Sequence, residues 1–521
     1  MKQAALRIAL ASLACISLTA RCGGSESSRP GAAGPSDPRP RAAEKEVHVQ
    51  TEKQPPPASG TARDVRFPTV AHSRLANGLS INTVELSQLP IASIELVIRS
   101  GSASDPENLP GLARLTAAML KEGTEKRSSA ELAEAIDFLG ARFAAGSGQE
   151  TLTIRMQVLS EHLKQALSIV AEVAMRPAFD AEELSKLKKR ELARLAMSIK
   201  DPGYLASREF FARLYGEHPY ARIDTTPEVV QKVGPEHLQS WHGAHFAPGN
   251  AFLVVAGDVT AEAVRGAAGK AFKGWKVRKV KREPYLKPPA RTARNVVVVD
   301  RPESVQSVIF LGNLALERKH PDWVPLLVAN EVLGGSASSR LFMDLRERRG
   351  LTYGAYSTVY EKVDVAPFRV YVAVRNQATE EALGALLGHL ERIGTEAPPE
   401  PELSHARRYL VDSFPLLIDV PAKIASLVSD LRVFDLPDDY WDSYRSRIAG
   451  VSTEQALRTA AKHIRPERAL VVVVGKAAEI AQPLGKYGPV TVVDTEGKLV
   501  LSPLPGEAAK AADKKSKKNV H

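Results

Sequence analysis

Pro110-Gly111-Leu112-Ala113-Arg114-Leu115-Thr116-Ala117-Ala118-Met119-Leu120-Lys121-Glu122-Gly123-Thr124 reads as one short helix with a clear start and stop. Proline suits the first helical position, where its missing N–H is no loss, and Gly123 supplies the ending. Outward from it, the β-rich run 94–98 precedes the helix. Ser128-x-x-Glu131 then forms a capping box for a second helix that stops at Gly140. Residues 151–158 alternate as a strand does, and Ser160 is expected to cap a helix reaching Met175. Asp180-x-x-Glu183 opens a long helix to about Ser198, with Pro202 expected to close it. Thr226-Pro227 and Gly234-Pro235 start further helices, followed by an apolar strand at 252–256 and a helix near 260–272.

The second half repeats this order. A strand at 308–311 leads to helices at 321–333 and 338–348, then to strands at 353–360 and 368–374. Helices at 378–393, 400–413 and 420–432 follow, and the strand 470–474 ends at Gly475 much as Leu253-Val254-Val255-Ala256 ends at Gly257. Self-similarity of this kind implies two α+β halves of roughly 210 residues rather than one large domain. The expected organisation is a first half at 63–276, a Lys/Arg/Pro-rich linker at 277–295, a second half at 296–500 and a basic tail at 501–521.

The chain has 521 residues, 44% hydrophobic and 25% charged, with net charge +10. Much of the positive excess sits in the linker (Lys273, Lys276, Arg278, Lys279, Lys281, Arg282) and in the tail (Lys510, Lys514, Lys515, Lys517, Lys518). No aromatic residues interleave with these runs, so they read as solvated and no nucleic-acid partner is expected. Both cysteines, Cys15 and Cys22, lie at the N-terminus, which excludes a disulfide framework in the body. Lys2 and Arg7 precede an apolar run at 8–20 that is too short to span a bilayer and fits a signal peptide over 1–22. Leu18-Thr19-Ala20-Arg21-Cys22-Gly23 resembles a bacterial lipoprotein signal with Cys22 as the acylated residue, which would anchor the protein to a membrane. Arg21 departs from that pattern, and ordinary cleavage after Ala20 is the alternative. Either way the chain is expected to be exported, to the bacterial periplasm or to the outer membrane as a lipoprotein. The Pro/Gly/Ser/Ala-rich stretch 23–62 is expected to be a disordered tether.

Several short motifs recur in a fixed order: Leu75-Ala76-Asn77-Gly78-Leu79, Ile98-Arg99-Ser100-Gly101-Ser102, Gly111-Leu112-Ala113, Met119-Leu120-x-x-Gly123-Thr124, His218-Pro219-Tyr220, Pro248-Gly249-Asn250, Leu333-Gly334-Gly335-Ser336 and Leu345-Arg346 to Tyr353. In this order they resemble the insulinase/pitrilysin (inverted-zincin) family of zinc peptidases, which includes the mitochondrial processing peptidases, over about residues 67–480. The resemblance implies duplicated insulinase-type α/β domains, each a mostly antiparallel sheet with helices packed on it.

In that family the first helix carries H-x-x-E-H, whose two His bind zinc from one helix face while the Glu serves as general base; a later helix adds a Glu ligand. The resemblance places these positions at Arg114, Ala117, Ala118 and Arg194. No ligand and no base survives, and two positions carry permanently charged guanidinium groups, so neither a metal nor any other cofactor is expected there. His242 and His245, with His237 on the same expected helix, could form a metal pair or simply line a solvated face; the solvated face is the expectation. Glu161-His162 reads as a helix start. No nucleophile-elbow or Cys/His set is present.

Arg346 and Tyr353 resemble the family's Arg/Tyr pair, which the half opposite the zinc lends to the substrate and the tetrahedral intermediate. A phenol and a guanidinium can both donate to a developing oxyanion. By spacing alone the two could equally be a solvated helix-end residue and a strand-start aromatic. Gly334-Gly335-Ser336 could admit a peptide backbone or be a plain helix cap. A dead zinc half beside a kept Arg/Tyr half implies a non-catalytic subunit whose partners are an H-x-x-E-H subunit and a peptide substrate. The alternatives are a non-catalytic scaffold or peptide-binding envelope protein and, less favoured, a self-sufficient metallopeptidase.

Overall fold

The computed structural model of the chain describes Gly60 and residues 65–281 and 284–504. The expected signal segment with Cys22, the rest of the tether and the tail beyond residue 504 lie outside the described residues. From Val65 onward the chain forms one compact unit built on two sheets.

The first half runs β1 (Ala71–Arg74), β2 (Ser80–Glu85), β3 (Ile91–Ile98), α1 (Leu112–Met119), α2 (Ser129–Phe138), β4 (Arg142–Ser147), β5 (Leu152–Leu159), α3 (Leu163–Met175), α4 (Ala181–Ser198), α5 (Pro202–Tyr215), α6 (Pro227–Lys232), α7 (Pro235–His245), β6 (Ala251–Gly257) and α8 (Ala261–Ala271). The second runs β7 (Asn295–Asp300), β8 (Gln306–Leu314), α9 (Trp323–Asn330), α10 (Arg340–Phe342), β9 (Ala355–Val359), β10 (Pro367–Arg375), α11 (Thr379–Thr395), α12 (Glu400–Ser413), α13 (Pro421–Val433), α14 (Tyr440–Ala449), α15 (Thr453–His463), β11 (Leu470–Gly475), α16 (Ala477–Leu484), β12 (Val490–Val493) and β13 (Leu499–Leu504). The first sheet has strand order β1-β2-β6-β3-β5-β4 and the second β13-β12-β7-β11-β8-β10-β9. Most pairings are antiparallel; β2 with β6, β7 with β11 and β7 with β12 are parallel. This is the expected pair of duplicated α/β halves, and β13 crosses position 501, where the tail was expected to begin.

Local chemistry explains most boundaries. Ser128 and Glu131 satisfy each other's backbone N–H at the start of α2, and Asp180 accepts from Glu182 and Glu183 N–H at α4. Pro110 does not begin α1. Gly111 sits before it in the left-handed region at φ 87°, and a carboxylate farther upstream caps the helix. Ser160 does not cap α3: a 3₁₀ turn intervenes and its hydroxyl makes no hydrogen bond. Pro202 opens α5 behind Asp201, whose side chain accepts from Gly203 and Tyr204, instead of merely closing α4. The helices expected at 321–333 and 338–348 both finish in π-helical turns, Glu331–Gly335 and Met343–Arg348.

The central strands of the second sheet are buried on both faces, which is why β7 (Asn-Val-Val-Val-Val-Asp) and β11 (Leu-Val-Val-Val-Val-Gly) read as unbroken apolar runs. Val296 and Val298 face the main core with α9 and α11, whereas Val297 and Val299 face Phe210, Phe211 and Leu214 of α5. A first-half helix therefore covers the second sheet. Reciprocally, α13 of the second half lies on β3 and β6 of the first. Phe252 and Val254 accordingly share a core with Ile424, Val428 and Leu431, while Leu253 and Val255 point to the first half's own core with α1 and α3.

Candidate functional site

α1 presents Arg114, Ala117 and Ala118 at i, i+3 and i+4, one face of one turn. Asp180 starts α4 so that Glu191 and Arg194 face that turn. The loop after the 3₁₀ turn Pro219–Ala221 brings in Asp224. Arg114 and Arg194 thus converge on two carboxylates. Arg114 Nη2 lies 3.0 Å from Asp224 Oδ1 and also bonds Glu191 Oε1. Arg194 Nη2 lies 2.7 Å from both Asp224 oxygens and 2.7 Å from Glu191 Oε1. The carboxylates are buried and the guanidiniums are about one-third exposed. Burial pulls the Arg114 guanidinium below its ordinary range, opposed chiefly by Asp224. Two cations and two anions leave the cluster neutral. Ala117 is buried, and its methyl group offers no carboxylate at that position.

Beside this cluster lies a cavity of about 150 Å³ lined by Asp105, Gly111, Arg114, Gln149, Arg222 and Asp224 among others. Asp105 accepts the Gly111 and Ala113 N–H groups, both at 2.8 Å. Burial pushes its carboxyl up to about 7, while those N–H groups and Arg222 pull it down. Ser147 and Gly148, at the end of β4, also line the cavity. β4 is the last strand of its sheet and pairs only with β5, so one row of its backbone groups faces away from the sheet.

Arg114, Ala117 and Ala118 lie on α1, and Arg194 of α4 meets Arg114 through their shared carboxylates. Among the described residues, no hydrogen bond or cation–π contact joins Arg346 to Tyr353. Arg346 lies in the π-helical turn, its Cζ 4.8 Å from the Phe342 ring centroid and its Nε 3.4 Å from Glu347. Tyr353 lies between that turn and β9, and is 90% exposed. A Cβ on Gly334 would meet Ser357 Oγ at 2.5 Å and one on Gly335 would run into Glu331, so these glycines admit the chain's own side chains. The histidines of α7 do not form a solvated face. His237 accepts from Gly234 N–H, His242 bonds the Ala174 carbonyl at 2.8 Å and packs on Phe179 and Phe246, and His245 packs on Trp241. Burial lowers His242 and His245 to about 4, so neither is charged at neutral pH.

The sequence reading missed Glu191, Asp224 and Asp105. Glu191, one turn before Arg194, was the only one with a local signal, as an i,i+3 ion pair.

Residues 81–222 match the insulinase (peptidase family M16) family, and residues 232–410 match its peptidase M16 inactive domain. The chain belongs to this family. An uncharacterized zinc protease of Rickettsia bellii is 26% identical over 343 residues, covering 64% of this chain and 80% of that protein. One of Streptomyces coelicolor is 25% identical over 413 residues, covering 78% and 90%. Among solved structures, the peptidase M16 inactive domain from Pseudomonas fluorescens superposes with TM-score 0.74 at 28% identity, covering 78% of this chain and 98% of that one. A Helicobacter pylori protease superposes with TM-score 0.74 at 20% identity over 78% and 99%, a likeness of fold.

Proposed function

We propose that this chain is the zinc-free subunit of a heteromeric M16 metalloendopeptidase of the cell envelope, reached through the export signal at its N-terminus and held to the membrane where Cys22 is acylated. An H-x-x-E-H partner of similar size supplies metal and base. This chain lends Arg346 and Tyr353 as donors to the developing oxyanion, and β4 offers an edge to which an extended peptide can add. The observation that carries the reading is the contrast between the two halves. The face that would hold zinc is occupied by the Arg114–Glu191–Arg194–Asp224 cluster, whereas Tyr353 projects its phenol into solvent with no hydrogen bond recorded among the described residues. The zinc proteases among the relatives support the reaction class, not the division of labour.

The test is reconstitution. The purified chain alone cleaves no peptide, and mixing it with an H-x-x-E-H chain from the same cell raises cleavage. Arg346→Ala or Tyr353→Phe then lowers kcat by roughly 10²-fold, the effect of a lost oxyanion donor. A partner equally active without this chain, or mutants with full activity in the mixture, refutes the proposal. A non-catalytic peptide-binding envelope protein is the second reading, favoured by the packing of Arg346 on Phe342. It predicts peptide binding that neither substitution disturbs.

A further inference from the structure

Away from the cluster on α1, a second set of metal-competent side chains gathers where the start of α9 meets the end of α15. Within the second half, His320, Asp322 and His463 each offer a ligand atom within 4.8 Å of the other two. His463 Nε2 is 2.8 Å from Asp322 Oδ2, and His320 Nδ1 is 3.9 Å from the same oxygen. Tetrahedral zinc with bonds of about 2.0–2.1 Å separates its ligand atoms by roughly 3.3 Å, so adjustments of about half an ångström along these vectors bring the set to coordination distance. Two imidazoles and one carboxylate suit Zn²⁺, leaving a fourth position for water.

Three features set this apart from an incidental surface contact. Asp322 occupies the N-cap of α9, but its side chain accepts no hydrogen bond from that helix, so its carboxylate is turned away from the role an N-cap Asp usually fills. His463 is buried, and its backbone is fixed by Asn313, which bonds the His463 carbonyl at 2.8 Å. It is the last residue of α15, where the helix dipole favours a cation. Finally, the site already holds a cation of the chain's own: Lys462 Nζ lies 2.8 Å from Asp322 Oδ2. The Lys462 side chain is 54% exposed and can retract into water when a divalent ion takes its place. Coordination gives up three hydrogen bonds of the present network: Asp322 N–H to His320 Nδ1 at 2.9 Å, and His463 Nε2 and Lys462 Nζ to Asp322 Oδ2, both at 2.8 Å.

We propose that His320, Asp322 and His463 form a zinc site that ties the first turn of α9 to the last turn of α15, independent of the α1 face. No local motif marks it, since His463 and Asp322 stand 141 positions apart. The experiment uses the full chain, stripped with chelator and titrated with Zn²⁺ by calorimetry and with Co²⁺ by visible absorption. One equivalent is expected, with the Co²⁺ spectrum of a tetrahedral nitrogen/oxygen site. Asp322→Asn and His463→Ala each weaken Zn²⁺ binding at least about tenfold, whereas Arg114→Met leaves it unchanged. Lys462→Met, on an exposed side chain that does not test folding, removes the competing ammonium and tightens binding several-fold. Zinc uptake undiminished by His463→Ala, or not tightened by Lys462→Met, overturns the proposal. None of these readings depends on peptidase activity, so its failure and that of the subunit reading are separable.

Discussion

Glu191→Gln tests whether the cluster on α1 has become a structural tie in place of a metal centre. Glu191 is buried and serves both guanidiniums, so the isosteric amide leaves Arg114 and Arg194 sharing only Asp224, with net charge +1 in the cluster. A unit pair near 4 Å is worth about 4 kcal/mol at an effective dielectric of 20, and breaking a buried pair costs about 3–5 kcal/mol. The guanidiniums are 34% and 37% exposed, so solvent screening reduces the expected loss to about 2–3 kcal/mol. Arg114→Met is expected to cost a similar amount, because it leaves Glu191 and Asp224 facing one cation. The double variant returns to one neutral pair, Arg194 with Asp224, and is expected to be little worse than either single. A coupling of about 2 kcal/mol therefore emerges from the cycle. The assay is chemical denaturation followed by tryptophan fluorescence, since Trp241 and Trp275 sit in the first-half core. Additive single effects, with coupling below about 0.5 kcal/mol, would falsify the account and demote the cluster to surface ion pairing.

Two further outcomes follow from the same region. Asp105 is held up to about 7 in the fold from an ordinary 3.8, so the folded state binds the extra proton and its stability falls as pH rises from 3.8 to 7. That contribution is at most about 4 kcal/mol, and the stability of wild type relative to Asp105→Asn should decline between pH 4 and 8 in urea titrations; a flat difference contradicts it. Gly111→Ala places a Cβ 2.5 Å from Thr225 Cβ at a backbone φ of 87°, and is expected to cost about 2–4 kcal/mol, measured by the same denaturation; a loss below about 1 kcal/mol means the loop simply shifts.

What was legible in the sequence was whatever chemistry stays within one turn of its own residue. The Ser128/Glu131 box, the Asp180 cap and the Pro227 and Pro235 helix starts are local hydrogen-bond or φ preferences, and they fall where expected. β4 escaped because Arg-Phe-Ala-Ala-Gly-Ser has small residues on both faces and little β-branched bulk. β7 went unread as a strand because a strand buried on both sides carries no alternation. The vacated zinc positions were found through motif order, but what fills them was not. Asp224 stands 110 positions from Arg114, and only the third dimension shows that two arginines arrived with two acids.

The crossing of helices between halves bears on how such a chain could work. α5 seals one face of the second sheet with Phe210, Phe211 and Leu214, and α13 seals one face of the first with Ile424, Val428 and Leu431. Prying the halves apart would expose both faces at once. Each large apolar side chain laid bare costs about 1.5–3 kcal/mol, so the sum over these six alone is comparable to the stability of an ordinary domain. Polar ties add to the seam: Tyr215 donates to the Val365 carbonyl at 2.7 Å, and Arg432 Nε donates to Asn82 Oδ1 at 3.0 Å. The two halves therefore pack as one shell, and under the proposed function a chamber that opens and closes on a peptide would form between this shell and a second one. That requirement gives a physical reason for Tyr353 to project outward: a donor aimed away from its own chain is useful only where another surface meets it.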